Sequence, residues 1–261
     1  MYVTVKIEGG LGNKLFQVAA MLGYAEKYGH VPVFLQIWLD LPEPHLNAKT
    51  IQEYFPNITI LMNEHDFVWT DIREKDNGAF IYEPLPYIQG NVYLNGWFQT
   101  ERYFPSYKLI PELLTKWNGI GSELNNAAFL HVRRGDYLDP RCRHHWVDLN
   151  GYIRRCLMLY DISVPIMVCS DDLTWCKDML PKLYGDLVSI DRWKWVDADN
   201  YETLAIMMRC GRGGICANST FSWWAAYFGS RELVCMPYVW GYPPMPPAID
   251  IWPSWCVKIP V

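Results

Sequence analysis

The sequence predicts an α/β fold built as two Rossmann-like domains facing a central cleft. Short apolar runs of strand length alternate with helical stretches, the pattern of a layered sheet-and-helix fold. The alternation breaks at the polar stretch Asn118-Gly119-Ile120-Gly121-Ser122 and restarts after it. In each half, the leading strand runs directly into residues suited to a ligand: Gly9 to Asn13 in the first, Arg133 to Asp136 in the second. In open α/β sheets that edge, beyond the carboxyl ends of the strands, is where ligands bind.

The elements follow in order. Residues 2–7 alternate as a strand does and meet the turn Glu8-Gly9-Gly10-Leu11-Gly12-Asn13. A strongly apolar helical stretch over 14–28 is closed by Gly29, and 31–35 reads as the next strand. The region 40–110 is dense in proline and aromatics; only 91–98 stands out in it as a strand. A short helix covers 111–117, with Pro111 in its first turn. The break at 118–126 marks the domain boundary, giving an acceptor-side domain over 1–120 and a donor-side domain over 121–261. In the second, strands are expected at 127–132, 164–169, 187–190, 214–217 and 233–236. Helices are expected between them at 151–160, 173–180, 201–210 and 222–228.

Composition narrows the function. The 261 residues are 51% hydrophobic and 15% aromatic, ample for a large core. Only 20% are charged, which argues against a long disordered tail. A net charge of −5 disfavours nucleic acid, which wants a basic face; any anion site must therefore be local. No apolar run reaches the ~18 residues of a membrane span, and the amino terminus reads as a strand rather than a signal peptide. The expected setting is cytoplasmic. Eight cysteines form no Cys-x-x-Cys and no zinc spacing, so they read as mostly buried thiols.

Several motifs carry chemistry. In "HVRRGDY", Arg133 and Arg134 follow an apolar strand, and the guanidinium fork suits phosphate oxygens. Gly135 lets the chain turn closely past a ligand, and Asp136 either orients an arginine or acts as a base. A structural Arg–Asp pair without a ligand and an exposed Arg-Gly-Asp adhesion signal are the competing readings. In "ANSTFSWW", Ser219 and Thr220 suit a helix cap, and the same helix start suits phosphate; Trp223 and Trp224 read as core. "EGGLGNK" offers close-approach glycines but matches neither dinucleotide nor P-loop consensus. Asp171 and Asp172 either accept from a nucleoside or cap the helix that follows. Asp197-Ala198-Asp199 reads as an acidic loop at a helix start rather than a metal site. His144 and His145 belong either to an exposed loop or to the acceptor side.

Taken in register, five segments resemble the α-1,2-fucosyltransferase family, glycosyltransferase family 11: "GGLGNKLFQ", "NGWFQTERYF", "HVRRGDY", "CSDDLTWCK" and "ANSTFSWWAAY". The resemblance runs along nearly the whole chain. It implies a GT-B-type fold, GDP-fucose as donor, a galactose-containing glycan as acceptor, inversion at the fucose, and no metal cofactor. It implies that His131, Arg133 and Arg134 lie against GDP, that Ser219, Thr220 and Phe221 line its phosphate and nucleoside side, and that Asp171 or Asp172 holds guanine or ribose. Gly10, Gly12 and Asn13 would face fucose and acceptor. Arg133 and Asp136 are the catalytic candidates, with Glu8 as the second choice of base. Transfer to another position (α-1,6, or protein O-fucosylation) and a non-catalytic GDP-sugar or glycan-binding module remain the alternatives.

Overall fold

A computed structural model describes residues 1–40, 51–75, 80–117 and 121–261. The chain divides into two compact units. The polar break begins with Asn118, Gly119 and Ile120, which lie outside the described residues.

The first unit comprises Met1–Lys116 and Pro246–Pro253. Its strands are β1 (Tyr2–Val5), β2 (Val31–Leu35), β3 (Thr59–Leu61), β4 (Trp69–Arg73) and β5 (Asn91–Asn95). All neighbours pair in parallel, in the order β3-β2-β1-β5-β4. Val3 sits opposite Pro32 on one side and Val92 on the other. Helix α1 (Leu11–Tyr28) buries Leu15, Phe16, Val18 and Met21 completely. Gly29 ends it in the left-handed conformation, φ 70°, with its N–H on the carbonyl of Ala25. A Cβ at Gly23 would come within 2.0 Å of the Tyr103 carbonyl, so the chain after β5 packs directly on this helix. Short helices α2 (Gln36–Leu39), α3 (Ile51–Tyr54) and α4 (Glu112–Thr115) complete the unit. Several expected bounds shift here, two of them by three residues. Helix α1 begins three residues before the expected Lys14, taking in Gly12 and Asn13, and β5 ends at Asn95 rather than Phe98. The chain leaves the ladder because Phe98 takes a positive φ of 51°, which no strand residue holds.

The second unit comprises Trp117–Met245 and Ser254–Val261. It alternates β6 (Ala128–Val132), α5 (Asn150–Leu157), β7 (Ile166–Ser170), α6 (Leu173–Tyr184), β8 (Trp193–Val196), α7 (Asn200–Arg209), β9 (Gly214–Ile215), α8 (Thr220–Phe228), β10 (Val234–Pro237) and β11 (Val257–Ile259). The sheet is parallel throughout, in the order β11-β10-β9-β6-β7-β8. From β6 the chain builds outward through β7 to β8, then crosses back and builds the other way from β9. This is the doubly wound order, and its switch point lies between β6 and β9. Gly214 makes that junction close: a Cβ there would meet the Phe129 ring at 2.3 Å.

The strand expected at 187–190 is corrected. The strand is β8, three residues beyond that stretch. Ile190 is 70% exposed, whereas Trp193 and Val196 are buried. Helix α6 runs four residues past the expected end, through Pro181. Leu180 and Tyr184, one turn apart and both buried, hold it against the ~3 kcal/mol a helical proline costs. All eight cysteines are free thiols and six are buried. Trp223 and Trp224 are fully buried. Among the described residues no helix is long and apolar enough to cross a membrane.

Candidate active site

At the switch point of the second unit, the ends of β6, β7 and β9 bring three of the motifs together. Beyond β6, one terminal nitrogen of Arg133 meets Asp136 at 2.6 Å and the other meets Asp171, beyond β7, at 2.6 Å. The Arg134 backbone N–H donates to the second oxygen of Asp171 at 2.9 Å. Its Nε donates to Asp172 at 3.1 Å, and its guanidinium lies 3.8 Å from the Trp175 ring centroid. Asp172 also caps α6, accepting from the Trp175 N–H at 3.1 Å. Gly135 is required by this closeness, since a Cβ there would stand 2.6 Å from an Asp171 oxygen. Each guanidinium is thus committed to a carboxylate rather than loose surface charge, while Gly135 and Asp136 stay exposed. Both arginine side chains are largely covered, 27% and 22% exposed, and Asp136 is the more open partner at 43%.

The β9 side supplies the other wall. Ser219 caps α8, its hydroxyl accepting from the Phe221 N–H at 3.4 Å, and Thr220 is the first helical residue. The Phe221 ring lies 5.6 Å from the ring of His131, which joins the two motifs. His131 is buried, and burial lowers its pKa to about 4; Arg133 pushes the same way and Asp171 opposes. The imidazole is therefore neutral near pH 7. Its Nδ1 is buried without a hydrogen-bond partner among the described residues, an uncommon state for a buried polar atom.

Three residues given no role in the sequence hold this arrangement: Asn218, Tyr137 and Trp175. Asn218 is buried and donates to the carbonyls of His145 at 2.7 Å and Trp240 at 2.9 Å. Its own carbonyl accepts from the Tyr137 hydroxyl at 3.0 Å. Tyr137 stacks on His145 at 5.3 Å, and burial raises its pKa so that it stays a donor. Trp175 supports Arg134. A buried asparagine between an apolar strand and a helix was the available signal for Asn218; nothing in the local pattern marks Trp175. His144 and His145 take up the packing position, the His144 carbonyl accepting from the Tyr242 N–H at 2.8 Å.

In the first unit the carboxyl ends of β1 and β5 form a second cluster. Gly9 has φ 79° and leaves no room for a Cβ, which would stand 2.8 Å from Asn13 Nδ2. Asn13 accepts from Gln99 at 2.9 Å, joining "GGLGN" to "NGWFQ". The Glu8 N–H donates to Gln17 at 3.0 Å and its carboxylate pairs with Lys6 at 2.7 Å. Gly10 precedes α1 with no side-chain cap, and Gly12 lies in its first turn. The turn after β5 is braced by Glu74, whose carboxylate accepts the N–H groups of Trp97 at 2.7 Å and Phe98 at 3.0 Å. Burial raises the Glu74 pKa. Asp199 accepts from the Glu202 N–H at 2.8 Å as the cap of α7, so the Asp-Ala-Asp segment is a helix start. Among the described residues no group of three or more potential ligands is placed to hold a metal ion.

The family model "Glycosyl transferase family 11" matches residues 1–239. The chain belongs to this family. The family 11 chain is 25% identical to an α-1,2-colitosyltransferase of Escherichia coli, covering 88% of this chain and 89% of that one. Galactoside α-(1,2)-fucosyltransferase 1 of Homo sapiens is 23% identical over 88% of this chain and 66% of its own length. The mouse galactoside 2-α-L-fucosyltransferase Sec1 is 24% identical over 88% and 65%. The family 11 chain thus spans about two thirds of those mammalian relatives. No solved structure matches it.

Proposed function

We propose that this family 11 glycosyltransferase moves L-fucose from GDP-β-L-fucose to the 2-hydroxyl of a galactose-like residue, inverting the anomeric carbon. The observation that carries the reading is the arginine pair at the switch point, braced from below by Asp171. In this reading the diphosphate displaces the more exposed Asp136 from Arg133 and takes its place on the fork. Arg134, held by Asp172 and Trp175, supports it. Neutral His131 adds a hydrogen bond through its unpartnered Nδ1 without adding charge. Ser219, Thr220 and Phe221, at the start of the nine-residue α8, line the phosphate and nucleoside side. Asp171 and Asp172 brace the arginines from beneath the nucleotide.

The displaced Asp136 then becomes the base. The acceptor 2-hydroxyl gives its proton to that carboxylate as its oxygen bonds to the anomeric carbon. The bond from that carbon to the β-phosphate oxygen breaks, and its electron pair leaves with GDP, where Arg133 neutralises the charge. Glu8 is the second candidate for the base, though its carboxylate is already paired with Lys6. Gly10, Gly12 and Asn13 serve fucose and acceptor from the first unit, in the manner of a GT-B-type enzyme with its donor on the second unit. No metal enters this reading, because the arginines take the part a cation would play.

The α-1,2 linkage is common to the names of both kinds of relative; the sugar is not. Colitose is fucose without its 3-hydroxyl, and the likeness to a colitosyltransferase over 88% of this chain makes it the second reading. The test is incubation with GDP-fucose or GDP-colitose and a panel of galactosides in the presence of EDTA, with product linkage read by NMR. The proposal requires an α-1,2 fucoside. A different linkage, a strict manganese requirement, or GDP binding by the folded protein without transfer to any acceptor would each overturn it.

A further inference from the structure

The first unit contains a cavity that the site above does not use. It is a half-open pocket of about 420 Å³, within the roughly 300–1,000 Å³ of small-molecule sites. It lies along the carboxyl-terminal half of α1, where Tyr24 is roughly 16 Å along the helix axis from Asn13. Tyr24, Tyr28, Tyr82 and Tyr103 line it. Their rings stand close in pairs, with centroids 4.7 Å apart for Tyr24 and Tyr28 and 4.8 Å for Tyr82 and Tyr103.

Three of the hydroxyls are already committed to the extended stretch that passes over α1. Tyr24 donates to the Pro86 carbonyl at 2.9 Å, Tyr28 to that of Leu85 at 2.5 Å, and Tyr103 accepts from the Glu83 N–H at 3.0 Å. What these tyrosines offer a ligand is aromatic surface. Polar capacity comes instead from Arg102, Lys27 and Glu26, which also line the cavity. The Arg102 guanidinium lies 4.1 Å from the Tyr82 centroid, and its ion pair with Asp250 is long at 3.5 Å. Glu26 accepts from the Ser106 N–H at 2.6 Å and hydroxyl at 2.5 Å.

This mixture selects a ligand class. An anion would meet the Glu26 carboxylate as well as the two cations. A purely apolar ligand would strip water from three charged groups and return nothing. A sugar ring has a C–H face that packs on aromatic rings and an edge of hydroxyls that both donate and accept. We propose that this cavity binds a neutral saccharide, with its ring on the tyrosines and its hydroxyls on Arg102, Lys27 and Glu26. The assignment stands whether or not the transfer reaction proposed above is correct.

The test uses the full-length, isotopically labelled protein and lacto-N-neotetraose as probe, with amide NMR as a local readout. The amide signals of Arg102, Tyr103 and Ser106 should shift on titration. The K27A/R102A double variant, whose two side chains are exposed, should lose those shifts or need at least tenfold more saccharide, while binding GDP as the wild type does. R133A should keep the shifts. No shift in the wild type, equal shifts in the double variant, or the same shifts produced by inorganic phosphate would overturn the proposal. Absence of fucose transfer with these shifts intact would count only against the transfer reading.

Discussion

At Arg133 a single guanidinium reaches two carboxylates through its two terminal nitrogens, each at 2.6 Å. A lysine offers one point charge in place of that fork. R133K should therefore lower kcat/KM for transfer by about 100-fold or more, about 2.7 kcal/mol, the size of one lost charge-assisted hydrogen bond. Steady-state kinetics checks this, and near-normal rates would mean that the fork is misassigned. Gly135 is the next most sensitive position: G135A drives a Cβ against Asp171. The expected result is at least tenfold weaker GDP binding by calorimetry in a protein that still folds. His131 predicts a pH effect on stability. Its folded pKa of about 4 lies below the ordinary histidine value, so between about pH 6.5 and 4 the unfolded chain binds the proton and the folded chain does not. Stability contributed by the neutral imidazole is present above that window and is lost as pH falls through it. At about 1.4 kcal/mol per unit this approaches roughly 3 kcal/mol. H131N should flatten the dependence of denaturant midpoint on pH across that range; an unchanged slope would mean that another group is responsible. The place of Arg133, Arg134 and Asp136 at the sheet edge was legible in the sequence, because they follow directly on an apolar strand. The division of labour among them was not, since it depends on Asp171, 35 residues beyond Asp136 in the chain.

Between the residues and the fold stand the strands whose ends carry them. Those buried on both sides announced themselves: β6 and β10 are buried at every position, and β7 nearly so. The strands that went unread are β3, β4 and β11, and these lie at sheet edges. Their burial patterns are mostly exposed or intermediate, so they carry little apolar signal. The misplaced strand near 187–190 shows the same limit from the other side, since Leu187 and Val188 pack into the core cluster that holds Leu180 and Tyr184 without joining the ladder. Loops were harder still. Asn218 joins two segments through carbonyls of His145 and Trp240, 73 and 22 residues away. N218A leaves both carbonyls without their donor in a buried place, which costs about 1–3 kcal/mol each at most. The second unit should melt several degrees lower, with weakened GDP binding, because the same loop carries Ser219 and Thr220. An unchanged melting temperature would show that water replaces the amide without cost.

At the scale of the molecule, the chain makes two sheets with the same logic, each with its glycine-rich or arginine-rich turn beyond the strand from which the winding starts. The alternation of elements made this legible, and the order of the strands explains why motifs so distant in sequence meet: β6 and β9 are neighbours only because the winding reverses there. The return of Pro246–Pro253 to the first unit was not legible, since it is settled by a few long-range contacts. Asp250 accepts from the Tyr82 N–H at 2.8 Å, and its own N–H donates to the Phe80 carbonyl at 2.7 Å. D250A should destabilise the first unit by about 1–2 kcal/mol and leave GDP affinity intact, as thermal melting with and without GDP would show. In the proposed function the second unit grips the diphosphate of a GDP-sugar through Arg133. Calorimetric titration of wild type and R133A with guanosine, GMP and GDP tests it most directly. Wild-type affinity should rise sharply from GMP to GDP, and R133A, while still folded, should lose that rise. Equal GDP affinity in the two proteins would contradict it.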